Sequence, residues 1–161
     1  MNEAALLRDF FSEIPAAPVF SSRKAGIPGE YRLAWRLSLL CLLLNRGRGR
    51  ALAFDHLHVL WWATRSSRTR ELMVRWFRGD KRPDELLVRF DPALSATVDL
   101  ALGQGLVLRE STGTVRLSEA GGKLAAAIEN DASALVAERE FLATLPKSIT
   151  QRQIRELLEW K

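Results

Sequence analysis

Residues Phe90 to Ile128, FDPALSATVDLALGQGLVLRESTGTVRLSEAGGKLAAAI, leave few folds open. Asp91 is placed to cap a helix, with Pro92 in the first turn, where a missing N–H costs nothing. Gly103 and Gly105 end that helix. Two short strands follow, Leu106–Arg109 and Thr114–Leu117, joined at Ser111-Thr112-Gly113. Ser118 then caps the next helix. Helix, hairpin and helix therefore succeed one another within forty residues.

That succession is the core of a winged helix, a fold that usually reads DNA with the helix before the hairpin. Here that helix, Asp91 to Leu102, has two Asp and no Lys or Arg, so it cannot neutralise phosphate. The expected fold is mainly α with a small β-hairpin wing: a winged-helix-like module with N-terminal helices before it and C-terminal helices after it. The module is expected to bind protein rather than read sequence, with Leu94 and Val98 as docking residues.

Length and charge refine this. A chain of 161 residues suits one compact domain, and at that size folding buries roughly 70% of the unfolded surface. Residues 1–20 carry one base and three acids, residues 21–82 fourteen bases and four acids, and residues 83–161 nine bases and twelve acids. The positive charge thus sits in the helical first half, where an acidic partner would dock. The single Cys41 lies among leucines, which excludes a disulfide framework and suggests a reducing compartment. The apolar run Leu37–Leu44 is too short to span a bilayer. The acidic N-terminus, MNEAALLRDFFSEI, does not have the pattern of a signal peptide. The expectation is a cytoplasmic protein without membrane contact.

Four regions are expected: an N-terminal helix and docking arm (1–29), a basic helical region (30–82), the winged-helix-like module (83–128) and C-terminal helices (129–161). In the arm, residues 3–13 read as a short amphipathic helix, and the long connection 15–29 offers Val19 and Phe20 for docking. Residues 30–45 read as a core helix, apolar nearly all round, with Leu33, Leu37, Leu40 and Leu44 at helical spacing. Asn45 to Arg50 is a turn. Asp55 is expected to cap the next helix, with Phe54 and Val59 as a hydrophobic staple, and Ser66 or Ser67 to start the one after, which Gly79 ends. Leu86 to Phe90 is read as a strand joining the hairpin, with a short helix as the alternative. Apolar spacing from Leu124 to Leu145 suits one long helix, with Asn130-Asp131 as its weak point. Ser148 with Gln151 reads as a capping box for a last helix whose stripe, Ile154, Leu157 and Leu158, is a docking candidate together with Trp160.

Chemistry for catalysis is not visible. His56 and His58 sit two apart, about 200° round a helix, where metal ligands usually sit at i and i+4. Both are read as structural, and Cys41 as a core filler. No phosphate-binding glycine loop and no nucleophile–base arrangement stands out, so neither an enzyme nor a cofactor or metal site is expected. Trp35, Trp61, Trp62 and Trp76 are read mostly as core, except that one of the adjacent Trp61 and Trp62 is expected to face an edge or a partner. The basic cluster is the one constellation with functional weight: Arg46, Arg48, Arg50, Arg65, Arg68, Arg70, Arg75, Arg78, Lys81 and Arg82. It is read as one stripe that follows a phosphate backbone or an acidic protein surface, because the guanidinium fork suits phosphate.

Three segments carry a family resemblance: EYRLAWRLSLLCLLLNRGRGRALAFDHLHVLWWATRS (30–66), RFDPALSATVDLALGQGLV (89–107) and TVRLSEAGGKL (114–124). Together they resemble the middle component of bacterial ABC-three-component, Lamassu-type, anti-phage defence systems, over about residues 28–128. The resemblance implies a small non-catalytic winged-helix adaptor. It would bridge an SMC/Rad50-like ATPase and an effector, often a nuclease, held inactive until foreign DNA is sensed. It carries over no catalytic residue. The alternative is a winged-helix DNA-binding transcriptional regulator, for which the reading helix offers only Ser95, Thr97 and Asp99 as polar readers.

Overall fold

The computed structural model describes residues 29–80, 88, 90–146 and 149–159. These residues are mainly helical, with a small three-stranded antiparallel sheet. The expected N-terminal helix, Val19, Phe20, Lys81, Arg82 and Trp160 lie outside the described residues.

Helix α1 spans Gly29–Arg46. Its second half is the centre of the core: Leu39 to Leu44, six residues in succession, are each at most 2% exposed. Only an element enclosed on every side buries consecutive helical positions. The first half differs. Leu33 and Trp35, expected in the core, are 41% and 38% exposed. Helical spacing places them on faces that are covered further along, but among the described residues the cover does not extend this far. At the other end, the Arg46 guanidinium donates to the Leu142 and Leu145 carbonyls at 2.8 and 3.2 Å, so the end of α1 is tied to a later helix.

A 3₁₀ turn, Arg48–Arg50, reverses the chain through left-handed Gly49 (φ 66°) and Arg50 (φ 57°). Strand β1, Ala51–Leu52, follows and pairs with the hairpin. This corrects the expectation that Leu86–Phe90 supplies the third strand. Val88 and Phe90 lie in no strand, and Leu86, Leu87 and Arg89 are outside the described residues.

Helix α2, Phe54–Thr64, starts one residue before the expected cap. Ala53 is the N-cap and Asp55 lies in the first turn, where a carboxylate still suits the helix dipole. Phe54 is therefore inside the helix, and it meets His58 rather than acting as a staple. Helix α3, Ser67–Phe77, is capped by Ser66 in a box with Thr69 and ends before Gly79 (φ 94°). Helix α4, Pro92–Gly103, has Asp91 accepting from the Ala93 N–H, with Pro92 in the first turn.

The hairpin strands are β2, Val107–Arg109, and β3, Val115–Leu117, each starting one residue later than expected. The sheet order is β1-β3-β2, with Leu52 opposite Val115 and Val107 opposite Leu117. Ser118 then caps α5, Glu119–Asn130. The chain breaks after Asn130, where the Asp131 carboxylate accepts from the Ser133 and Ala134 N–H groups and Leu135 turns left-handed (φ 47°). Two helices therefore stand where the apolar spacing alone suggests one, and the second is α6, Val136–Thr144. The last helix, α7, Gln151–Glu159, is capped by Thr150 with Gln153, two residues beyond the expected box. Ser148 lies outside the described residues.

One buried cluster runs through α1, α2, α3, α4, the sheet and the C-terminal helices. Leu94 and Val98 belong to it, at 0% and 1% exposed, so they hold α4 to its own domain and are not docking residues. Ile154 and Leu157 are likewise buried, at 2% and 3%, in a helix that packs on α2, and Leu158 is partly buried on the same core. An amphipathic stripe seeks the nearest apolar surface, and here that surface is α2. Among the described residues no helix is long and apolar enough to cross a membrane.

Candidate functional site

The structure breaks the expected arginine stripe into residues with different tasks. Arg46 satisfies the last carbonyls of α6. Arg70 donates to the Thr64 carbonyl and pairs with Glu138 at 3.5 Å, which joins α3 to α6. Arg75 pairs with Asp80 at 3.0 Å, and Arg65 with Asp91 at 3.6 Å. Arg50 lies against the first turn of α5, where a Cβ on Gly122 would stand 2.6 Å from its guanidinium. Arg48 lines a cavity of about 290 Å³ between the α1–β1 turn, α2 and the α6–α7 connection. Arg68 and Arg78 are exposed and make no side-chain hydrogen bond or ion pair among the described residues. Charge counting finds arginines but not their partners, and carbonyls at helix ends leave no mark in a sequence.

A second constellation, missed from the sequence, lies along α2. His58 sits edge-on between Phe54 and Phe90, with both centroid distances 4.7 Å. The Arg109 guanidinium lies 5.7 Å over the Phe54 ring. One turn further along α2, Trp61 meets Trp35 edge-on at 6.2 Å. Phe90 is 59% exposed and Trp35 38%. Trp61 and Trp62 are both buried, at 3% and 7%, which corrects the expectation that one faces outward. Two adjacent tryptophans fit inside because α2 is covered on opposite sides, and the indole N–H of Trp61 is satisfied by Asp91 at 3.2 Å. The signal in the sequence was Phe90 beside the capping Asp91, since a residue just ahead of a cap is outside the helix and free to lie on its neighbour.

Asp91 is the electrostatic centre of this face. Burial raises its pKa. The Ala93 N–H, the Trp61 N–H and the charges of Arg65 and Arg36 outweigh that and hold the carboxyl below its ordinary range. Cys41, wholly buried, has its thiol pushed up to about 11 by burial, so it stays an unreactive thiol.

His56 and His58 are 8% and 5% exposed, and His56 Nε2 and His58 Nδ1 have no hydrogen-bond partner among the described residues. Burial lowers both pKa values; Asp55 opposes the shift at each, and Asp91 also at His58. A folded-state pKa below the unfolded value means that the unfolded chain binds the proton more tightly. The stability is therefore intact above the unfolded value, near 6.5, and is lost as pH falls below it towards the folded values. Each histidine is expected to contribute a slope of up to about 1.4 kcal/mol per pH unit in that window. Urea titrations at a series of pH values between about 8 and 5 measure this. In His58→Phe the slope should drop by the share of one histidine, and an unchanged slope would remove His58 from the account.

Comparison with known proteins adds no identification: no family model, no curated protein and no solved structure matches this chain.

Proposed function

We propose that this chain is a non-catalytic adaptor, the bridging subunit of a cytoplasmic SMC-like ATPase defence complex, linking the ATPase to an effector such as a nuclease in response to foreign DNA. The observation that carries it is α4. The buried side of that helix, Leu94, Thr97, Val98 and Ala101, is spent on the core. Its solvent side presents Pro92, Ala96, Asp99 and Gly103, which carry one charge, and that negative. A helix of this kind repels phosphate and offers a smooth surface for another protein. A regulator would need base-reading side chains here. Thr97 is not one, because it is buried and its hydroxyl donates to the Ala93 carbonyl at 2.6 Å.

Co-expression of the tagged chain with the products of its neighbouring genes should recover an SMC-like ATPase at fixed stoichiometry. Ala96→Arg, on the exposed side of α4, should reduce that recovery at least about tenfold while shifting stability by no more than about 0.5 kcal/mol. Recovery of the chain alone, with an ATPase expressed and soluble in the same cells, would overturn the reading.

A further inference from the structure

We propose that the exposed aromatic face built on α2 by Trp35, Phe90 and the stacked Arg109 binds single-stranded nucleic acid, with bases stacking on the two exposed rings and phosphates meeting the surrounding arginines.

Three observations support this. The first is ring geometry. Phe90 meets His58 at an interplanar angle of 75° and Trp35 meets Trp61 at 62°. Neither exposed ring is stacked flat on its neighbour, and Phe90 at 59% and Trp35 at 38% keep surface open to solvent. Large exposed aromatics held in one orientation are platforms for bases, since every base has a π-face. The second is the charge around them. Arg109 is already stacked over Phe54, which holds the guanidinium in place with its N–H edge available. Arg65, 54% exposed, and Arg36 lie beside Asp91. The Asp91 carboxylate is engaged by two N–H donors and by Arg65, so it presents little free negative charge. The third is the composition of the half-chain that contributes Trp35, α2, Arg36 and Arg65: fourteen bases against four acids over residues 21–82, a field that draws a polyanion. A strand is favoured over a duplex because stacking requires bases that are already unpaired, and α4 carries no side chain suited to a groove.

The proposal stands apart from the adaptor reading, since it concerns a ligand and a surface which that reading does not use. The test uses the full chain with a fluorescein-labelled 15-nucleotide oligothymidylate and a mixed-sequence duplex of the same length, read by anisotropy at several salt concentrations. The single strand should bind more tightly than the duplex and quench tryptophan fluorescence. Phe90→Ala and Trp35→Ala should each weaken single-strand binding about tenfold, whereas Phe90→Tyr and Trp35→Phe should retain most of it. Arg65→Glu should weaken binding and flatten its salt dependence. Lys123→Glu, an exposed charge on α5, should change it little. Circular dichroism of each variant checks that the fold persists. Equal binding of strand and duplex, or single-strand affinity unchanged in both alanine variants, would overturn the proposal. So would a result in which those variants bind the oligonucleotide normally but lose a co-purifying protein, which would make the face a protein interface.

Discussion

Replacing Leu43 by alanine should lower the free energy of unfolding by about 2–5 kcal/mol, a large share of the 5–15 kcal/mol typical of a folded domain. Leu43 is wholly buried, in the middle of six consecutive buried residues of α1. With cover on every side, the surrounding structure cannot collapse from one direction to fill the space, and the cost of a cavity depends on that collapse. Leu33→Ala, ten residues earlier in the same helix at a site 41% exposed, should cost less than about 0.5 kcal/mol. Urea denaturation followed by circular dichroism measures both. In a domain of this size each kcal/mol also moves the melting temperature by roughly 2–4 °C, so the pair should differ clearly on heating. A loss at Leu33 as large as at Leu43 would mean that the first turns of α1 are covered in solution.

The contrast between those two leucines shows what the amino-acid order conveys. Periodicity assigns a residue to a face of a helix, but it does not say how far along the helix the cover extends. Leu33 shares a pattern with Leu37, Leu40 and Leu44, and among the described residues the later positions are the ones that are covered. Local chemistry was more legible. Asp91 with Pro92, Ser66 with Thr69, and Ser118 each cap the expected helix, because a cap is decided by side chains and N–H groups within three residues of one another. Where the cap is a bare backbone, as at Ala53, the sequence pointed to the nearest acid instead. Strand β1 was invisible for a related reason. Two residues cannot show an alternation, and Ala51–Leu52 becomes a strand because β3 lies beside it.

The candidate sites were legible in part. Charge segregation located the arginines but not which of them are engaged: Arg46, Arg65, Arg70 and Arg75 meet acceptors of the fold, while Arg68 and Arg78 stay exposed without a side-chain partner among the described residues. Arg46 and Arg70 act within the fold, against carbonyls and a carboxylate more than sixty residues away or on a neighbouring turn. Ile154 and Leu157 repeat the lesson for apolar residues: a stripe that has no partner along the sequence can have one within the same chain. The aromatic face depends on contacts between α1, α2, Phe90 and the hairpin, so no window of sequence contains it.

The packing of α5 against the hairpin yields the other large effect. Gly121→Ala should destabilise the fold by about 3 kcal/mol or more, which places it beyond most overpacking substitutions. A Cβ on Gly121 would fall against the Leu106 carbonyl oxygen, well inside contact distance, and 2.9 Å from a methyl group of Leu117. The carbonyl cannot simply swing away. It accepts from the Ser118 N–H at 3.0 Å, while the Ser118 hydroxyl donates to the neighbouring Gly105 carbonyl at 2.6 Å and accepts from the Gly121 N–H to cap α5. Making room for one methyl group would therefore open the bonds that join the end of α4, the start of β2 and the first turn of α5. Each of those bonds contributes about 0.5–1.5 kcal/mol in its own right. Gly122→Ala, the adjacent position, meets only the far end of the Arg50 side chain and should cost far less. Gly103→Ala, at the end of α4 with open space around it, should be neutral or slightly stabilising, since alanine is the better helix former by about 1 kcal/mol. Thermal melts of the three variants give the order directly. If Gly121→Ala melted with Gly103→Ala, the close approach of α5 to the hairpin would not exist in solution, and the winged-helix-like core would have to be rebuilt around a wider gap.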